Sequence, residues 1–208
     1  EFVFDPLCGC GTAIYAAHLH HRQWIGCDIA ILAVRLVRDV LEKRYGLKNG
    51  EHYQTDGVPL SLEGAHELFE SDALQFQNWA IELAGGFCSQ RRSGDRGVDG
   101  RIHFEIDEGY RNMVLSVKGG AIQPAHIPEL RGVLEREDSI LAGFICLSNP
   151  TRGMVREASS AGQWEYEGRK YDRIQIRTIQ QLLDGIGFDT PTQVQTLNWD
   201  RQLHLFPR

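Results

Sequence analysis

Along the first 45 residues the apolar positions change period several times. An apolar run at 2–4 gives way to Asp-Pro and a Gly-x-Gly turn, which predicts a strand and then a loop. Residues 12–21 read as a helix, 24–28 as a second strand and 30–45 as a second helix. In that second helix Ile31, Val34, Val37, Leu41 and Tyr45 recur at helical spacing, with Arg35, Arg38, Asp39 and Glu42 mostly on the other side. Gly46 follows as a C-cap. The pattern is βαβα, the first half of a doubly wound sheet. Residues 46–66 are turn-rich and read as a linker.

A second pattern starts near Glu67. A helix through "ALQFQNWAIELAGG" sets Phe76, Trp79, Ala80 and Leu83 on one face, and a short strand follows at 87–90. After the charged turn "RRSGDRGVDG" come two strands, "RIHFEI" and "MVLSVK", with "DEGYRN" between them as a turn. A helix at 127–137, a strand at 140–147 and a helix capped by Asn149 or Thr151 follow, then the strand "RIQIRT" and a short helix ending at Gly185. The expected fold class is α/β. A partial doubly wound unit (1–45) and the linker (46–66) precede an α/β domain with a mixed sheet (67–190) and a C-terminal tail (191–208).

Composition narrows this only in places. The chain of 208 residues is 42% hydrophobic and 24% charged, ordinary for a globular protein. No apolar run approaches the roughly 18 residues of a membrane span, and no signal peptide is visible. Five cysteines without paired CxxC spacing suit a reducing compartment, so the expected location is cytoplasmic. A net charge of -6 argues against nucleic-acid binding through bulk charge, yet leaves room for local positive patches.

The first motif is "DPLCGCGT". Glycines after a strand let backbone approach a ligand closely, and the following helix offers free N–H groups. Asp28, at the end of the next strand, stands where a carboxylate can bind ribose hydroxyls. Taken together, "FDPLCGCGTAIYAAHLHHRQWIGCDIA" resembles the S-adenosylmethionine-binding motifs of DNA amino-methyltransferases, which modify adenine N6 or cytosine N4. The resemblance covers about the first 45 residues. It implies cofactor-binding roles for Asp5, Pro6, Gly9, Gly11, Thr12 and Asp28; Leu7 stands where the family has Phe. In permuted members the Asp-Pro-Pro-Tyr motif that holds the flipped base precedes the cofactor loop. That tetrapeptide does not occur in this sequence. The chain is therefore expected to be the C-terminal part of a longer methyltransferase, completed by its N-terminal part or by another chain.

The second motif is "GVDG" followed by "VLSVK". Asp99 opens one strand and Lys118 lies in the next, so the two can meet across a hairpin. A carboxylate holding Mg²⁺ beside a lysine suits phosphodiester hydrolysis. The order of elements resembles the PD-(D/E)XK nucleases of Mrr type over residues 70–185. This implies a metal site at Asp99, assistance by Lys118, and double-stranded DNA as substrate. Two positions depart from the family. Ser116 replaces its Glu or Gln, and Gln77 replaces the acid of a Phe-Glu pair. Glu82 or Asp95 is expected to compensate. Ser116 and Lys118 should share a face, with Val117 pointing the other way into the core.

Other features have plainer readings. Arg91, Arg92 and Arg96 form either a DNA phosphate grip or a solvated turn. "HLHH" at 18–21 lacks zinc spacing, and Trp79 and Trp164 read as core. Two functions remain open for the second domain. One is a Mg²⁺-dependent endonuclease; the other is an inactive nuclease-fold module that binds DNA or supports the methyltransferase.

Overall fold

The computed structural model describes residues 1–89, 97–107 and 109–191. The chain divides into two compact units, Glu1–Val58 and Pro59–Arg208. The dividing point lies inside the stretch read as a linker. Among the described residues no helix is long and apolar enough to cross a membrane.

The first unit carries β1 (Phe2–Asp5), α1 (Thr12–Leu19), β2 (Gln23–Gly26) and α2 (Ile31–Tyr45) in the expected order. The strands pair in parallel, with Val3 opposite Trp24 and Phe4 opposite Ile25. Strand alternation sends Trp24 toward a small core of Cys8, Ile14, Tyr15, Val37 and Leu41. The other face displays Phe2, Phe4 and Ile25, the first two 56% and 58% exposed. Gly26 permits the close approach of α1, because a Cβ there would overlap Ile14. Gly46, in the left-handed region at φ 68°, ends α2 as its sequence position predicts.

The second unit begins with α3 (Leu62–Ser71) and α4 (Ala73–Leu83). Its first helix starts within the expected linker. The two helices part at Asp72, whose carboxylate accepts hydrogen bonds from the Leu74 and Gln75 amides at 3.0 and 2.9 Å. An aspartate that caps two amides stabilises a new helix start more than a continuing one.

A five-stranded sheet follows in the order β3 (Phe87–Cys88), β4 (Gly100–Ile106), β5 (Gly109–Lys118), β6 (Leu141–Cys146) and β9 (Ile174–Thr178). The pairs β3–β4 and β4–β5 are antiparallel, while β5–β6 and β6–β9 are parallel, so the sheet is mixed as expected. β5 begins at Gly109, four residues before the apolar pattern does. Tyr110, Arg111 and Asn112, expected in a turn, instead pair with Glu105, Phe104 and His103. Helices α5 (His126–Arg136) and α6 (Arg152–Ser160) pack on one face of the sheet around Val114, Ile127, Leu130, Phe144 and Met154. α4 packs close against the start of β4, since a Cβ on Gly100 would lie 2.7 Å from Ile81. A hairpin of β7 (Gln163–Tyr166) and β8 (Arg169–Asp172) precedes β9, and α7 (Ile179–Leu183) follows it behind a Thr178–Gln181 capping box.

Candidate functional site

The first candidate site is the loop between β1 and α1. The Cys27 amide donates to the Asp5 carbonyl and the Cys8 amide to the Cys27 carbonyl, both at 2.8 Å. These bonds carry the strand pairing into the loop. Gly9 and Gly11 then adopt φ of 47° and 83°. A Cβ on Gly11 would lie 2.7 Å from Val37 Cγ2 and 2.9 Å from the Tyr15 hydroxyl. Gly11 is also the N-cap of α1 and brings no side-chain cap. The helix start therefore has none of the side-chain oxygens that ordinarily satisfy its first amides.

Asp28 reaches back across this loop. Its Oδ2 accepts from the Gly9 amide and its Oδ1 from the Ala30 amide, each at 2.8 Å. Asp5, Gly9, Gly11 and Asp28 are thus gathered in one place. Pro6 and Thr12 are exposed at its margin, and Thr12 Oγ1 lies 3.4 Å from Cys10 Sγ. Burial, then the charges of Asp28 and Asp5, push the Cys8 thiol up, which keeps it protonated and part of the core. Tyr15 was not singled out by sequence. Its ring is buried beneath Gly11 and its hydroxyl has no hydrogen-bond partner. Burial raises that phenol well above its usual range.

The second candidate site lies at the start of β4. Asp99 is fixed in three ways. Its amide donates to the Leu115 carbonyl and its carbonyl accepts from the Ser89 amide, both at 2.9 Å. Its carboxylate Oδ2 accepts from the Val117 amide at 2.7 Å. The register pairs Gly100 with Leu115, so its continuation sets Asp99 across from Ser116. Ser116 is buried and Lys118 half-buried.

Lys118 opens onto a cleft of about 320 Å³, which Gln77, His126, Phe69, Phe76 and Val117 also line. Neither Asp99 nor Ser116 lines it. Glu82 is on α4 next to Cys88, and its charge adds to the burial that lifts that thiol to about 11. Among the described residues no three His, Cys, Asp or Glu side chains gather into a metal-holding group. Arg91, Arg92, Asp95 and Arg96 lie outside the described residues. His126 is the residue that sequence reading overlooked; it opens α5 two residues after Pro124, a helix-start signal.

Comparison with known proteins gives limited matches. No family model matches the chain. It is 33% identical over 82 residues to the Type II methyltransferase M.EcaI of Enterobacter cloacae, a match covering 35% of this chain. The chain spans only 17% of that relative's length. The structure of MspJI Restriction Endonuclease in complex with a 27-mer oligonucleotide aligns over 76% of this chain and 42% of its own. The identity is 14% and the TM-score 0.42. The fold described above rests on this chain's own strands and register.

Proposed function

We propose that this chain is part of a DNA restriction–modification protein. Glu1–Val58 contributes part of an S-adenosylmethionine site for DNA amino-methylation, and Pro59–Arg208 is a restriction-endonuclease-like unit that engages double-stranded DNA. The observation that carries the reading is the clamp of Asp28 on the Gly9 amide at 2.8 Å. It sets an acid, a glycine loop and an uncapped helix start around one point. The partial likeness to M.EcaI supports the modification half.

These residues fit the cofactor. Gly9 has open space where a Cβ would stand, the α1 amides suit a carboxylate, and Asp28 suits ribose hydroxyls. When bound, the cofactor supplies the methyl group. Asp28 holds the loop and orients the ribose, Gly9 gives backbone access, and Gly11 lets the loop pack against Tyr15 and Val37. The tetrapeptide that grips a flipped base is absent from this sequence, so that function comes from the rest of the protein or from another chain. S-adenosylmethionine binding by this chain alone should be weak in calorimetry. Micromolar or tighter binding that Asp28→Ala abolishes would show a complete site instead.

The second unit fits a resident Mg²⁺ poorly. Mg²⁺ takes hard oxygen donors, usually one or two carboxylates plus substrate phosphate. Here one oxygen of Asp99 serves the Val117 amide, Ser116 is neutral, and among the described residues the cleft beside Lys118 has no carboxylate in its lining. Among the described residues, Asp99 and Lys118 alone do not make up such a donor set. The reading they favour is a DNA-binding module of nuclease fold. A plasmid-nicking assay with Mg²⁺ or Mn²⁺ tests it: no nicking above background is expected. Cleavage that Asp99→Asn and Lys118→Gln each remove would restore the endonuclease reading.

A further inference from the structure

The cleft beside Lys118 lies between α4 and the start of α5, and each of its polar side chains can donate a hydrogen bond. Among the described residues that line it, Lys118 is the only charged one. Among the described residues the Lys118 and Gln77 side chains have no hydrogen-bond or ion-pair partner. His126 adds a third group whose tautomer the structure fixes. Its Nδ1 accepts from the Gln123 amide at 3.1 Å, so the neutral ring carries its proton on Nε2. The His126 ring is held 6.0 Å from that of Phe144. An ammonium, an amide and an imidazole N–H therefore belong to one cleft, and each can donate.

The walls strengthen these donors. Phe69 and Phe76 pack edge to face at 5.4 Å along one side. Apolar walls lower the local dielectric, and a charge-assisted hydrogen bond gains from that. Gly119 lets the backbone come against Phe69, because a Cβ there would overlap the ring.

We infer that this cleft is a metal-independent phosphate subsite, in which Lys118, Gln77 and His126 hold one phosphodiester group of a nucleic-acid strand. The inference rests on the DNA reading of the second unit and changes the role of Gln77. A carboxylate at that position would neutralise Lys118 and invite a cation, whereas the amide leaves the cleft with net positive charge. His126 acts through Nε2–H as a hydrogen-bond donor.

The test uses the full chain in EDTA with inorganic phosphate as probe, followed by the imidazole NMR signals of His126. Phosphate should shift the His126 ring signals at millimolar concentration, and chloride at equal ionic strength should not. Lys118→Gln and Gln77→Glu should each abolish the shift while the amide spectrum stays folded. No phosphate shift in the wild type, or the same shift in both variants, would overturn the inference. A parallel titration with a short DNA duplex in EDTA separates it from the broader reading. The salt slope of duplex binding should fall by about 1 in Lys118→Gln, because that variant neutralises one phosphate fewer. An unchanged salt slope overturns the subsite. A phosphate response without any duplex binding leaves the subsite standing and sinks the DNA reading.

Discussion

Asp28 Oδ2 and the Gly9 amide meet at 2.8 Å across 19 residues of chain, and this bond ties the end of β2 to the glycine loop. The carboxylate that is read as a ribose ligand is therefore already a strut of the loop. Its two roles come apart in two variants. Asp28→Asn keeps one oxygen for the Gly9 amide and loses the charge. Asp28→Ala loses both and should destabilise the first unit by about 2 kcal/mol, the scale of a hydrogen bond to a charged group. Urea unfolding followed by Trp24 fluorescence checks this; equal midpoints for Asp28→Ala and wild type would remove the strut.

Gly11 combines a left-handed backbone at φ 83° with close neighbours at its vacant Cβ position. Gly11→Ala should cost about 1 to 3 kcal/mol from backbone strain alone. Gly46 has φ 68° but open space around its Cβ position, so Gly46→Ala should cost less. Paired urea midpoints decide the order.

Glu137 shows how pH should act on the second unit. Arg101 Nη2 donates to its Oε2 at 2.7 Å, and Arg101 Nη1 donates to Asn112 Oδ1 at 2.8 Å. The hydrogen bond from Arg101 lowers the Glu137 carboxyl below the usual range. A lowered folded value means that the unfolded chain takes up the proton first as pH falls. The pair's stability is thus present above the unfolded value of about 4.3, and is lost as pH drops through the folded one. The pair is partly exposed, so about 1 kcal/mol is expected. Wild type should lose that much more than Glu137→Gln between neutral pH and pH near 3, read from thermal or urea midpoints.

Gly119→Ala should disturb the cleft without touching its donors. The new methyl would strike Phe69, and overpacking of this kind costs about 1 to 3 kcal/mol. Gly120→Ala, whose Cβ would sit 3.5 Å from the same ring, should be tolerated. Thermal midpoints of the two variants give the comparison.

Much of this was legible in the sequence wherever apolar spacing met a strong turn. The run from Phe2 to Gly46 announced its strands, loop and helices because most changes of period coincided with glycine or proline, the passage from α1 to β2 through His20, His21 and Arg22 excepted. The break at Asp72 was hidden because apolar residues continue at helical spacing on both sides, and only the Asp72 cap signals a new start. The β7–β8 hairpin was missed for its turn. Glu167 and Gly168 both have positive φ, at 49° and 73°, and glutamate is not the residue that usually marks such a turn. Strand alternation predicted that Ser116 would share the cleft with Lys118 and that Val117 would turn away. Instead Val117 lines the cleft beside Lys118 at the end of β5 and Ser116 does not, and His126 comes to it from a different element, which spacing along the chain does not reveal.

Asp99 has a consequence of its own. By accepting from the Val117 amide it serves as one more rung of the β4–β5 ladder where β4 has not yet begun. A side chain here does the work of a carbonyl. Removing it exposes a strand amide next to Ser116 and Lys118, so Asp99→Ala would loosen the frame under both, whatever the frame is for. An activity that vanishes in Asp99→Ala but survives in Asp99→Asn would be lost carpentry, not lost chemistry.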